Sequence, residues 1–301
     1  MDFSDCIQKT RRRLMSGARE QTAQLISNYT AGGEALQIGG QFSGAIQAGA
    51  ILSIDLEMFL VLSTTTAGSL AVIPGYEGST EANHTMGAVV YINPRFSLFD
   101  ISVAINDDLL DLSSPTNGLG QILFNDSTFN PTYMGYDLGT AFTGNSSRVL
   151  EISYQIAPPV RTYPLVRRGM YAVRRNMNQP AVFPSGNAVI IYESAYPGLP
   201  IHVQFLAPFE PLVNLSDDLS AVAGLPPTMY DLPDLGAALR LMDPREIKRN
   251  FYEAQPDPRK AVEIPPQAVA NSSAKLEARR TARINAEADR IMMVYPEAEA
   301  W

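Results

Sequence analysis

The stretch IQAGAILSIDLEMFLVLS, residues 46–63, followed by LAVIPGYEGSTEANHTMGAVVYI, residues 70–92, decides how this chain is read. Ile51 to Leu62 and Leu70 to Ile73 are apolar or alternating runs bounded by Gly and Thr clusters, the pattern of half-buried strands joined by tight turns. Pro74-Gly75 and Glu77-Gly78 are turn dipeptides, in which proline presets φ and glycine supplies positive φ. Ala88 to Ile92 resumes a strand that Asn93-Pro94 stops. Residues 29–96 thus form a small β-barrel-like module without an evident catalytic group.

Working outward, the pattern changes to helix on both sides. Residues 1–28 carry a polar segment with a sparse apolar stripe of Ile7, Leu14, Ala18 and Leu25, which predicts a helix over Asp5 to Ser27 interrupted at Gly17. Residues 97–115 carry a second helix: Ser97 is placed to cap it, and Leu98, Ile101, Ile105, Leu109 and Leu112 recur every three or four positions. From 116 to 215 strand-like runs such as QILF, RVLEISYQIA, NAVIIYESAY and IHVQFLAPF alternate with Asn, Gly, Pro and Ser clusters, which favours a β-sandwich-like region. Residues 216–260 return to helix, with Asp231 or Asp234 able to cap it and Pro244 expected to start a new turn or kink. Residues 261–301 complete a Pro-rich linker, begun at Gln255, and add a long C-terminal helix capped by Ser272 or Ser273, with Arg283 four positions before Glu287. The expected class is α+β: a helical bundle with an inserted barrel-like module, a larger sandwich-like region and a C-terminal helix.

Composition narrows the chemistry. With 301 residues, 46% apolar and 18% charged, the chain is globular in type and long enough for several cores. No run of about 18 apolar residues occurs, so no membrane span is expected. The start MDFSDCIQKTRRR lacks the basic-then-apolar order of a secretory signal, so folding in a cytoplasm is the expectation. Cys6 is the single cysteine, and His84 and His202 are the two histidines, too few for a zinc cage within one chain. No phosphate loop, dinucleotide fingerprint or nucleophile elbow is present, so neither catalysis nor a cofactor or metal is expected.

The remaining charges have plain readings. Asp107, Asp108 and Asp111 fall on one helix and read as a solvated face. Asp55 and Glu57 fall on the same side of an alternating strand, where a cation or a neighbouring arginine would neutralise them. Net charge is -8, which disfavours general attraction to DNA, yet Lys9, Arg11, Arg12, Arg13 and Arg19 make the first helix basic. Arg11, Arg12, Arg13 and Arg19 are therefore a candidate contact patch. Arg161, Arg167, Arg168, Arg174 and Arg175 crowd a second region.

The order of an acidic strand bearing Asp55 and Glu57, a second strand ending in Gly75-Tyr76-Glu77-Gly78-Ser79-Thr80, then Ala82, His84 and Gly87 before an apolar strand resembles small β modules of tailed-bacteriophage virion proteins. The helix-like FSLFDISVAINDDLLDLSS, residues 96–114, and GLPPTMYDLPDLGAALRLMDPREIKRN, residues 224–250, are similar to head-to-tail adaptor or connector proteins of phages infecting Gram-positive bacteria. That resemblance implies a non-enzymatic ring, usually twelvefold, beneath the portal protein in the virion neck. The ring would continue the DNA channel, touch genomic DNA non-specifically and meet a stopper or tail terminator on its tail side. It implies docking on the portal through the C-terminal helix, at Leu276, Ile284, Ala288, Ile291 and Tyr295. The alternative is a tail or baseplate protein with receptor- or carbohydrate-binding β domains, against which the placement of Tyr91, Phe96, Tyr154, Tyr163 and Tyr171 in strand patterns argues for core packing.

Overall fold

The computed structural model describes residues 1–15, 20–39, 46–64, 68–156, 164–178, 180–192, 198–252, 268–296 and 298. Among the described residues the fold is mixed α+β, with four α-helices, the last of them C-terminal, a closed barrel and two further sheets. Two compact units are interleaved in sequence. The first takes residues 1–108, 212–218 and 233–278, and the second takes 109–211, 219–232 and 279–301.

The first unit is built around six strands: β1 (Gln21–Leu25), β2 (Ala35–Gly39), β3 (Ile51–Ile54), β4 (Glu57–Thr64), β5 (Ser69–Ile73) and β6 (Val89–Ile92). They pair in the order β1-β2-β5-β4-β3-β6, and β6 returns to β1, so every strand has two antiparallel neighbours and no edge is left open. Alternate side chains fill the interior, among them Leu36, Leu52, Ile54, Phe59, Leu70 and Val90. The run from 51 to 62, read as one strand, is two. Ile54 pairs with Glu57 across a two-residue turn, and Asp55 takes φ 51° there, a conformation that aspartate tolerates and a tight hairpin demands.

Helix α1 (Phe3–Met15) stops well before Ser27. The expected continuation to Ser27 is corrected: Gln21–Leu25 is barrel strand β1, with Ala23 and Leu25 inward and its polar neighbours outward. Alternation with only two apolar residues is a weak signal in sequence, and pairing with β2 and β6 decides it. Arg11 of α1 lies 4.1 Å from the Tyr91 ring centroid and forms an ion pair with Glu20, which fixes the helix against the barrel wall.

Helix α2 (Leu98–Leu112) begins as the sequence predicts. The Asp100 N–H donates to Ser97 Oγ at 2.8 Å, and the Asp100 carboxylate accepts from the Ser97 N–H at 3.3 Å, a reciprocal cap. Asn106 on this helix clamps Leu212 from both sides, donating to its carbonyl and accepting its N–H, each at 2.9 Å. The segment so held also accepts from α1, through Phe3 N–H to Asp217 O and Ser4 N–H to Leu215 O.

Helix α3 (Leu232–Tyr252) is one continuous helix across Pro244, so the expected new turn there is absent. Gly236 meets α2 at closest approach: a Cβ at that position would fall inside the Asp108 carboxylate. Asp107 is exposed as expected and Asp111 partly so, but Asp108 is buried rather than solvated, which corrects its own reading. A glycine one turn into the facing helix leaves a cleft that the acid occupies, a relation between distant segments that helical periodicity does not reveal.

In the second unit, β7 (Gln121–Ser127), β8 (Phe129–Asn130), β9 (Gly135–Asp137), β10 (Arg148–Tyr154), β11 (Tyr171–Arg174), β12 (Ala188–Ile191) and β13 (Ile201–Ala207) form two sheets, ordered β10-β13-β7 and β11-β12-β9-β8. Both contribute to one core, where Tyr136, Val189, Ile152 and Val203 are joined by Phe142 and Phe205 with rings 5.3 Å apart. Helix α4 (Ala268–Val294) starts before Ser272, so neither serine caps it. The Pro-rich stretch expected between α3 and α4 lies outside the described residues, apart from its neighbours in the two helices.

Replacing Gly236 by alanine is expected to destabilise the protein by about 1–3 kcal/mol, since Asp108 has no exposed space to retreat into. Chemical denaturation of the two proteins measures the difference, and equal midpoints would show that α2 and α3 separate freely.

Candidate functional site

The titratable groups gather at two nodes of the first unit. The first lies at the barrel end where β3 turns into β4. Its centre is His84, buried at 3% exposure, in a segment pinned to Tyr29 by reciprocal backbone hydrogen bonds of 2.8 and 3.0 Å. The ring packs near Tyr29 and Phe59, with centroids 6.0 and 5.9 Å away. Both imidazole nitrogens face carboxylates: Nδ1 is 3.1 Å from Asp55 Oδ2 and Nε2 is 2.8 Å from Glu57 Oε2.

Two acceptors on one ring select the doubly protonated imidazolium, because a neutral ring would point a lone pair at one carboxylate. Burial pulls the His84 pKa down, but the hydrogen bonds and charges of Asp55 and Glu57 together outweigh it, and the net direction is upward from 6.5. Glu57 is fully engaged, for its oxygens also accept from the Gly75 and Ala82 N–H groups at 3.3 and 2.9 Å. Nearby, the Tyr29 hydroxyl is pushed up to about 12, by burial first and then by Glu57 and Glu81. The partner of Asp55 and Glu57 is thus His84 of the same chain rather than the expected bound cation or neighbouring arginine, and Asp55 sits in a turn and not on a strand shared with Glu57.

The second node is Asp234, wholly buried in the first turn of α3. It accepts from Arg13 at 2.9 and 3.1 Å and pairs with Lys9 Nζ at 3.1 Å. The sequence offers Asp231 or Asp234 as a cap for this helix, and the signal that marks Asp234 is its place at the helix N-terminus. Cys6 lies in the same environment, its thiol pushed up to about 12 by burial first and by the Asp234 carboxylate second, so it is held protonated and inert.

This node consumes much of the candidate basic patch. Arg13 and Lys9 bind Asp234, Arg11 binds Glu20, Arg12 is exposed, and Arg19 lies outside the described residues. The patch is therefore not a continuous free cationic face.

The C-terminal helix is placed by its own unit. Ile284 and Ile291 are buried at 5% and 4% exposure, Ala288 and Tyr295 are half-buried, and Leu276 is half-buried in the portion assigned to the first unit. Arg283 reaches Asp231 at 3.1 Å, the Thr228 carbonyl at 2.7 Å and Glu287 at 3.3 Å, while Arg280 binds Asp111 at 2.7 Å. Ile284 and Ile291 of the apolar stripe are thus covered while its other three residues are partly so, and the helix also exposes Met293 and Val294, at 82% and 59%.

In the sandwich, His202 Nδ1 lies 2.6 Å from Asp126 on an outer face. A polar cleft of about 300 Å³ is lined by Asn125, Asp126, Thr128, Asn130 and Asp137, with Phe129 and Phe183 at its walls. Asp137 is held by the Ser185 hydroxyl at 2.7 Å and the Gly139 N–H at 3.0 Å. With His202 on Asp126 and Ser185 on Asp137, the two carboxylates are occupied by neighbours rather than converging on a common point. Among the described residues no group of three or more His, Cys, Asp or Glu could hold a metal ion, and no helix is long and apolar enough to cross a membrane.

No protein-family model and no curated protein sequence matches this chain.

Because its folded pKa is raised, His84 contributes stability that is complete below about 6.5 and is lost as pH rises through the higher folded value. As pH rises above about 6.5, wild type is expected to lose stability relative to His84→Gln, read from denaturation midpoints. Parallel pH profiles for the two proteins would contradict an imidazolium at this site.

Proposed function

We propose that this chain is a non-enzymatic structural protein of a tailed-phage virion, a head-to-tail adaptor that forms a ring beneath the portal and continues the DNA channel toward the tail. The observation that carries the scaffold part of this reading is the use of buried charge. His84, Glu57 and Asp234 are each saturated by partners inside the fold, and each ties together segments distant in sequence. Groups arranged in this way hold a shape; a catalytic acid or base needs an open coordination position for substrate. The phage part rests on the resemblance of the barrel segment and of residues 96–114 and 224–250 to adaptor proteins, and the α+β class with a long C-terminal helix is compatible with it.

Within this reading α4 docks through the surface its own unit leaves uncovered. Met293 and Val294 present that surface, whereas Ile284 and Ile291 act from behind by fixing the helix. Flexible methionine beside an aliphatic side chain suits an interface that must fit a ring of different symmetry or curvature. A membrane partner is not part of the proposal, and the site of action is the virion neck after synthesis in the bacterial host.

One observation favours the second reading, a tail or baseplate protein that binds cell-wall carbohydrate. The polar cleft with Asn125, Asn130 and Phe129 offers amide and hydroxyl partners beside an aromatic wall, as sugar sites do.

Purified protein mixed with the portal of its own phage is expected to give stacked rings by electron microscopy, and Met293→Glu is expected to weaken that binding about tenfold while leaving the fold intact. Binding to cell-wall glycan without any binding to portal would favour the carbohydrate reading and remove the adaptor one.

A further inference from the structure

Charge is segregated along this chain. From Glu20 to Pro94, the stretch that supplies the barrel strands, every Asp, Glu, Lys or Arg is an acid. From Ile152 to Tyr192, the stretch that supplies β11 and β12, every one is an arginine. In a chain with net charge -8, an acid-free run of that length is an isolated positive island.

The fold converts each run into a surface. The barrel is antiparallel, so β1, β3 and β5 finish at the end where β2, β4 and β6 begin. Glu34 precedes β2, Asp55 turns β3 into β4, and Glu77 and Glu81 follow β5, and all four are exposed at that end. Glu81 is held close by, against Gly75 and Gly32. His84 is the sole basic group of the run; it is buried and pairs with the buried Glu57 and with the exposed Asp55, which leaves the other three acids without a cation from this run. The barrel end is therefore strongly negative.

On the second unit, β11 is an edge strand of its sheet among the described residues, paired there with β12. The turn closed by Met170 N–H on Arg167 O leads into it, and Arg167, Arg168 and Arg174 are exposed along this edge. Arg175 points the other way, donating to the Gly144 carbonyl at 3.1 Å. Exposed apolar groups sit among the cations: Met170 and Tyr192 are joined by a backbone hydrogen bond of 2.8 Å, and Leu165 lies nearby in sequence. Arginine, tyrosine and methionine together are what protein interfaces enrich.

We infer that copies of this chain associate head to tail, the acidic barrel end of one copy resting on the arginine-bearing β11 edge of the next. Charge complementarity selects this occupant, because the chain carries both halves of the match. Like faces repel, so a two-fold pairing of barrel with barrel or edge with edge is disfavoured. A contact between two different faces leaves one face of each kind open on the joined pair, and its repetition closes a ring or grows a filament. The inference deepens the ring reading above and rests on it for the place of the assembly in the virion, whereas the contact itself needs no portal.

Sedimentation velocity of the full chain alone provides the test. Wild type is expected to form oligomers that dissociate as salt rises from about 0.05 to 0.5 M, where screening shortens to a few ångströms. Arg167→Glu with Arg174→Glu, and separately Glu77→Lys with Glu81→Lys, are each expected to weaken association at least about tenfold. All four positions are exposed, and circular dichroism confirms that the variants fold. Mixing the two variants restores oligomers, since the reversed edge of one meets the reversed barrel of the other and the unaltered faces also match. A monomeric wild type, variants that assemble unchanged, or variants that fail to rescue each other would overturn the inference. So would a wild type that stays monomeric but binds duplex DNA through Arg167 and Arg174. A self-associating protein that ignores portal would leave the contact standing and remove the adaptor placement instead.

Discussion

The first unit depends on one buried carboxylate. Its parts come from residues 1–108, 212–218 and 233–278, and the covalent chain between them passes through another unit. Something must specify that α3 returns to α1, and Asp234 does so: a wholly buried acid receiving Arg13 and Lys9 from the helix at the other end of the sequence. Desolvating an acid costs several kcal/mol unless it is fully paired, so no arrangement that leaves Asp234 alone in the interior competes. Its site in the first turn of α3 adds the favourable end of the helix dipole. The Asn106 clamp on Leu212 and the backbone bonds from Phe3 and Ser4 then order the intervening segment.

The barrel solves a different problem by related means. Closure removes the open edges that six short strands would otherwise expose, and the price is a crowded end where turns must converge. There His84 bridges Asp55 and Glu57, and Glu57 gathers the backbone N–H groups of Gly75 and Ala82. One imidazolium thereby connects the β3–β4 turn to the segment after β5. Both nodes use ionisable groups to specify which segments meet, and neither presents those groups to solvent as a reactive pair.

How much of this the sequence reveals depends on the range of the interaction that decides each element. Ser97 and the apolar positions from Leu98 to Leu112 gave α2 directly, because capping and helical period are local. The strand character of Ile51 to Leu62 and of Leu70 to Ile73 is legible for the same reason, though not the hairpin at Asp55 that splits the first run, and so is the Arg283–Glu287 pair, four positions apart. The failures are non-local. Gln21–Leu25 looks helical until β2 and β6 claim it, Asp108 looks solvated until Gly236 makes room for it, and the pairing of Arg11 with Glu20 and of Arg13 with Asp234 has no local signal in α1. The apolar stripe of α4 was legible as a stripe, but a stripe does not name the surface that covers it, and here Ile284 and Ile291 face their own unit.

The buried ionic groups tie segments of the fold to one another, while Met293 and Val294 at the end of α4 remain exposed. That account stands or falls on whether the buried ionic nodes are energetically coupled parts of the scaffold. A double-mutant cycle on Arg13→Met and Asp234→Leu, followed by chemical denaturation, measures this directly. A buried pair that specifies the fold predicts that each single change destabilises by about 3 kcal/mol or more and that the two together cost clearly less than their sum, with a coupling of about 2 kcal/mol. Additive losses would contradict it and would show that Asp234 is buried without holding α1 to α3.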